Sequence, residues 1–101
     1  MRVELVKAFS FEAAHRLPRL AATHKCYRLH GHSFRVEVAV AGEVDPELGW
    51  LLDYAEISEA FEPLRRQLDH SCLNDVPGLE NATSENLARF VWDRLEPRFR
   101  G

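Results

Sequence analysis

Two alternating stretches, the first broken by Lys7 and blurred by Val6 and Ala8, each carry histidine at the end that would meet the other, and they constrain this chain more than anything else in it. From Val3 to His15 the odd positions read Val3, Leu5, Lys7, Phe9, Phe11, Ala13 and His15, while Arg2, Glu4, Ser10 and Glu12 fall on even ones. His30, His32, Phe34, Val36, Val38 and Val40 then repeat on even positions, with Ser33, Arg35 and Glu37 between them. Period two is the signature of a half-buried strand. If the two strands pair antiparallel, the end of the first lies beside the start of the second. His15, His30 and His32 then converge at one end of one apolar face. The strand rise puts the α-carbons of His30 and His32 roughly 7 Å apart with their side chains on the same side, a spacing that suits two ligands on one metal.

Residues 16 to 29 show no steady periodicity and read as a long irregular loop, the kind that inside a compact domain usually carries function. The segment 42 to 49, with Asp45 and Pro46, reads as a turn. Asp53 and Glu56 have the spacing of a capping-box variant, and Ile57, Phe61, Leu64 and Leu68 follow at helical intervals. Pro63 lies inside this helix and predicts a kink or break there. Asn74, Asp75, Pro77 and Gly78 mark a turn, after which Thr83 or Ser84 can cap a second helix with Leu87, Phe90, Val91 and Leu95 as its buried stripe. Pro97 is expected to end it.

With 101 residues and 46% hydrophobic content, the chain suffices for one domain over residues 1–101 and is too short for two. A formal charge of -3 with both signs interspersed argues against nucleic acid or an anionic membrane as partner. The first residues hold no long apolar run, so neither signal peptide nor membrane span is expected, and the expected location is the cytoplasm. Two cysteines make no disulfide framework. Cys72 reads as a small buried side chain, whereas Cys26, near histidines, reads as metal or catalytic chemistry.

Three histidines without an obvious fourth protein ligand form the pattern of a catalytic zinc site, whose open position takes water or substrate. Cys26 has two possible roles: a fourth ligand that closes the shell, or a thiolate that takes a proton from a bound substrate. Spacing does not decide between them. Asp69 and His70, adjacent at the end of the first helix, form a usable acid/base unit if backbone curvature turns both inward; a helix-terminal histidine facing the dipole is the alternative. Glu85 reads first as a favourable acid in the first turn of its helix, and His24 as a surface residue.

The segments FSFEAAHRLP (Phe9 to Pro18), HKCYRLHGHSF (His24 to Phe34), GEVDPELGWLLDYAEI (Gly42 to Ile57), LDHSCLNDVPGLEN (Leu68 to Asn81) and TSENLA (Thr83 to Ala88) together resemble the bacterial 6-carboxytetrahydropterin synthases. The resemblance implies an α+β tunnelling fold, an antiparallel sheet with two helices packed on one face, several protomers closing a barrel with active sites at their interfaces. It also implies a lyase that converts 7,8-dihydroneopterin triphosphate to 6-carboxy-5,6,7,8-tetrahydropterin with release of acetaldehyde and triphosphate, in queuosine and 7-deazaguanine biosynthesis. By position, His15, His30 and His32 match the zinc ligands, and Cys26 the catalytic proton acceptor. Asp69 and His70 match a second acid/base unit, and Thr83, Ser84 and Glu85 a turn that contacts the pterin.

Family members continue past the second helix into further strands, one of which supplies a pterin-anchoring glutamate; by this resemblance the C-terminal strands are missing from the sequence. Two alternatives follow. One is 6-pyruvoyltetrahydropterin synthase activity, which shares the same histidines, cysteine and aspartate-histidine pair, although FEAAHRLP and GEVDPELGWLLDY favour the carboxy-forming relatives. The other is a truncated, non-catalytic zinc-binding paralogue.

Overall fold

In the computed structural model, which describes residues 1–99, the two alternating stretches form one long antiparallel pair. Strand β1 spans Arg2–His15 and β2 spans His30–Glu43, in register from Arg2 opposite Glu43 to His15 opposite His30. The alternation of the sequence becomes an alternation of burial: Phe11, Ala13 and His15 on β1 and Val38 and Val40 on β2 are buried, while the intervening positions of β2 are exposed. A third strand, β3 (Ser71–Cys72), runs parallel to the end of β1, pairing Ala13 with Ser71 and Ala14 with Cys72, so the sheet order is β2-β1-β3. The expected purely antiparallel sheet is therefore mixed at one edge. Two residues are too few for periodicity to reveal. Cys72, expected to be buried, is only partly so.

Helix α1 (Tyr54–Leu68) starts where Asp53 accepts a hydrogen bond from the Ala55 amide at 2.9 Å. Its stripe of Ile57, Phe61, Leu64 and Leu68 is buried against the sheet. Helix α2 (Ser84–Phe99) buries Leu87, Phe90, Val91 and Leu95, and Thr83 caps it by accepting from the Asn86 amide at 3.1 Å. Both prolines depart from expectation. Helix α1 continues through Pro63 without a break, and α2 passes Pro97 and reaches Phe99, the last described residue. Each proline sits on an exposed face, as do Glu59 and Asp93, whose carbonyls lose their amide partners. On an exposed face such carbonyls are open to water, so the lost bond costs less, and the buried stripe keeps the helix running.

The inner face of the sheet and the two helices share one core. At its centre Phe61 is fully buried and stacks on Phe9 with ring centroids 4.3 Å apart. Phe61→Ala should therefore lower unfolding free energy by about 3–5 kcal/mol, the usual range for emptying an aromatic core site. A denaturant melt reads this as a drop in midpoint at unchanged slope. Among the described residues, no helix is long and apolar enough to cross a membrane.

Candidate metal centre and its surroundings

The strand register decides the site. His15 and His30 are direct partners across the β1–β2 ladder, and His32 faces Ala13 one step further in. All three lie on the inward face, and their rings are mutual neighbours: centroids are 4.6 Å apart for His15 and His30, 5.2 Å for His15 and His32, and 4.6 Å for His30 and His32. One nitrogen from each lies within 4.8 Å of the others. Phe34 packs edge-on against both His15 and His32 and closes the core side of the cluster.

Hydrogen bonds choose the tautomers. His15 Nδ1 is 2.7 Å from the Ala82 carbonyl and His30 Nδ1 is 2.7 Å from the Arg28 carbonyl. A carbonyl can only accept, so both Nδ1 atoms carry a proton, and in the neutral ring each Nε2 then presents a lone pair. The Nε2 of His15 is buried and has no hydrogen-bond partner. A buried polar nitrogen without a partner is costly unless something binds it. Backbone carbonyls holding Nδ1 while Nε2 points into a histidine cluster is the arrangement found behind metal-ligating imidazoles. The three residues therefore fit a divalent transition metal. Burial is the main reason the His15 imidazole titrates below its ordinary value; the Ala82 carbonyl opposes this and the His30 and His32 rings reinforce it. The shift favours the neutral imidazole, the form that coordinates.

Cys26 lies outside the histidine triangle. It sits in a short 3-10 turn, Lys25–Tyr27, within the long loop, where its amide donates to His24 Nδ1 at 3.0 Å and its carbonyl accepts from the Leu17 amide at 2.8 Å. The second of these bonds pins the cysteine turn to the chain two residues past His15. Its thiol is free and partly exposed.

Asp69 and His70 follow α1 as expected, but they do not both turn inward. The His70 side chain is 79% exposed, and its backbone adopts φ of 58°, a left-handed conformation uncommon for residues other than glycine, although histidine adopts it more readily than most. Two contacts with one residue of β1 hold it there. Asp69 Oδ1 accepts from the Glu12 amide at 2.9 Å, and the His70 amide donates to the Glu12 carbonyl. Asp69 Oδ2 lies 3.1 Å from His70 Nδ1. The Glu12 amide is the leading reason the Asp69 carboxyl titrates below its usual range; burial opposes this, and His70 and Arg65 add to it. His70 lines an open cleft of about 530 Å³ together with His32, Glu12, Gly31, Ser33 and Ser71.

Thr83 precedes α2, and Ser84 and Glu85 open it with both side chains exposed. They join the histidine cluster through the backbone, since the preceding residue Ala82 supplies the carbonyl that holds His15. Asn74, read in the sequence only as a turn residue, proves to bridge the chain beyond His15 to the segment before Ala82. The spacing of a lone asparagine in a turn gives no sign of a partner 58 positions earlier.

Residues 4–101 match the family model described as 6-pyruvoyl tetrahydropterin synthase. The chain is 44% identical over 97 residues to the 6-carboxy-5,6,7,8-tetrahydropterin synthase of Synechocystis sp., a match covering 91% of this chain and 74% of that one. It is 40% identical over 77 residues to the 6-pyruvoyl tetrahydrobiopterin synthase of Dictyostelium discoideum, covering 72% of this chain and 57% of that protein. The structure of Caenorhabditis elegans 6-pyruvoyl tetrahydropterin synthase superposes with a TM-score of 0.88 at 30% identity, covering all of this chain and 81% of its own. A sequence match over nearly every residue and a shared fold agree: the chain belongs to the 6-pyruvoyl tetrahydropterin synthase family.

Proposed function

We propose that the protein is a zinc-dependent lyase that converts 7,8-dihydroneopterin triphosphate and water to 6-carboxy-5,6,7,8-tetrahydropterin, acetaldehyde and triphosphate, in the route to queuosine and other 7-deazaguanines. The observation that carries the reading is the His15, His30 and His32 cluster with its buried, unpartnered Nε2. The 44% identity to the Synechocystis enzyme favours the carboxy product. A cytoplasmic homo-oligomer with interfacial sites is part of the same proposal, supported by the exposure of His70 at an open cleft.

His15, His30 and His32 would hold the zinc, with three neutral imidazoles leaving one position open. A zinc ion held by these residues would supply Lewis acidity, making hydrogens beside the coordinated substrate oxygens easier to remove. Cys26 takes one of these protons as thiolate. His70, with its Nδ1 beside Asp69 Oδ2, returns protons as triphosphate departs and the side chain is cleaved. Asp69, whose Oδ1 accepts from the Glu12 amide, holds the His70 ring through its Oδ2 while a proton is in transit. Thr83, Ser84 and Glu85 contact the pterin ring.

Product analysis tests the assignment. Incubated with dihydroneopterin triphosphate, the zinc-loaded protein is expected to form acetaldehyde and 6-carboxytetrahydropterin in equal amounts. The second reading, 6-pyruvoyltetrahydropterin synthesis, draws on the Dictyostelium and Caenorhabditis relatives. It is the answer if triphosphate is released without acetaldehyde. Turnover of neither kind, with zinc bound, leaves a non-catalytic zinc protein.

A further inference from the structure

We propose that Asn74 is a positioning residue of the three-histidine site, locking the backbone just after His15 to the segment that leads into Ala82. The Arg16 amide donates to Asn74 Oδ1 at 2.8 Å, and Asn74 Nδ2 donates to the Arg16 carbonyl at 2.9 Å and the Glu80 carbonyl at 3.1 Å. The chemistry of the three partners fixes the amide orientation, because a flipped carboxamide would set its NH2 against an N–H and its oxygen against two carbonyls. Strand β3 pairs with β1 only as far as Ala14 opposite Cys72. Beyond that point the Asn74 side chain supplies the donor and acceptor that another strand residue would have offered to Arg16.

This closes a ring through the site. Arg16 follows His15 directly, Asn74 holds Arg16, the same amide holds Glu80, and two residues later the Ala82 carbonyl receives His15 Nδ1 at 2.7 Å. Neighbouring contacts stiffen the far side of the ring: Leu79 and Ala82 are buried, and the Asn81 carbonyl accepts from both the Thr83 amide and the Asn86 side chain. The position of the Ala82 carbonyl selects the tautomer of His15 and the direction of its Nε2. Asn74 therefore acts on metal binding through His15 without touching the cluster. It acts equally on the start of α2, because the segment it anchors leads into Thr83 and Ser84.

The inference rests on the reading of the histidines as a metal site, and the experiment separates the two. Asn74→Asp preserves size and the acceptor for the Arg16 amide, removes both donors and places a carboxylate against two carbonyls. Zinc affinity, measured by chelator competition, should fall roughly 10–100-fold, the usual cost of losing support behind a ligand. The visible spectrum of the cobalt(II)-loaded variant should shift relative to the parent. Leu95→Ala, a core change in the stripe of α2, serves as a control of lowered stability and should leave affinity and spectrum as they were. Equal affinity and an unchanged spectrum in Asn74→Asp, or a loss matched by Leu95→Ala, would overturn the proposal.

If the variant fails to fold, the metal-free parent decides by nitrogen-15 NMR. The proposal requires His15 protonated on Nδ1 and the Asn74 side-chain amide protected from exchange; the other tautomer or a freely exchanging amide contradicts it. Failure of the parent to bind zinc or cobalt at all would instead refute the metal reading, while the same NMR result would still report on the clamp.

Discussion

Cys26→Ala is expected to keep its zinc and lose turnover of dihydroneopterin triphosphate by about 10²–10⁴-fold, the range contributed by a positioned proton acceptor. The separation of the two effects follows from the geometry. The three imidazoles form a mutual cluster without the thiol, and the 3-10 turn that carries Cys26 is held by backbone bonds at Leu17 and His24. Replacing Sγ by hydrogen removes no hydrogen bond from that turn. Zinc content and steady-state kinetics on one preparation check the prediction, and a variant that loses zinc would make Cys26 a ligand and the account of its role wrong.

His15→Ala should have the opposite signature and lose metal and activity together. It deletes one of three ligands and also leaves the buried Ala82 carbonyl without its donor, so both affinity and stability should suffer. His32→Ala separates these. His32 is exposed, so its removal should leave the denaturation midpoint nearly unchanged while zinc affinity falls by at least about 10²-fold, more than the loss of a supporting group costs. Acid should act in the same direction. Protons compete with zinc for the imidazoles, and because burial lowers the pKa of His15, this ligand stays available to a lower pH than a free imidazole. Retention of full zinc occupancy by either variant would contradict the three-histidine centre.

The histidine cluster was legible because strand pairing is a period-two code. Once Val3 to His15 and His30 to Val40 alternate, register alone brings His15 opposite His30. The helical stripes ending at Leu68 and Leu95 were legible for the same reason, with the period changed. The prolines misled because their cost depends on whether the orphaned carbonyl meets water, and sequence does not show which face is wet. Ala82 and Asn74 were invisible for a different reason. Their contacts are side chain to backbone across 67 and 58 positions, and no local pattern encodes a carbonyl's direction. The left-handed backbone of His70 is likewise set from outside, by Glu12 on another element.

X-ray absorption at the zinc edge of the native protein should show nearest neighbours of nitrogen and oxygen at about 2.0–2.1 Å, with the outer scattering of three imidazoles and no sulfur. A zinc–sulfur distance near 2.3 Å, or scattering from fewer than three imidazoles, would contradict the three-histidine zinc site.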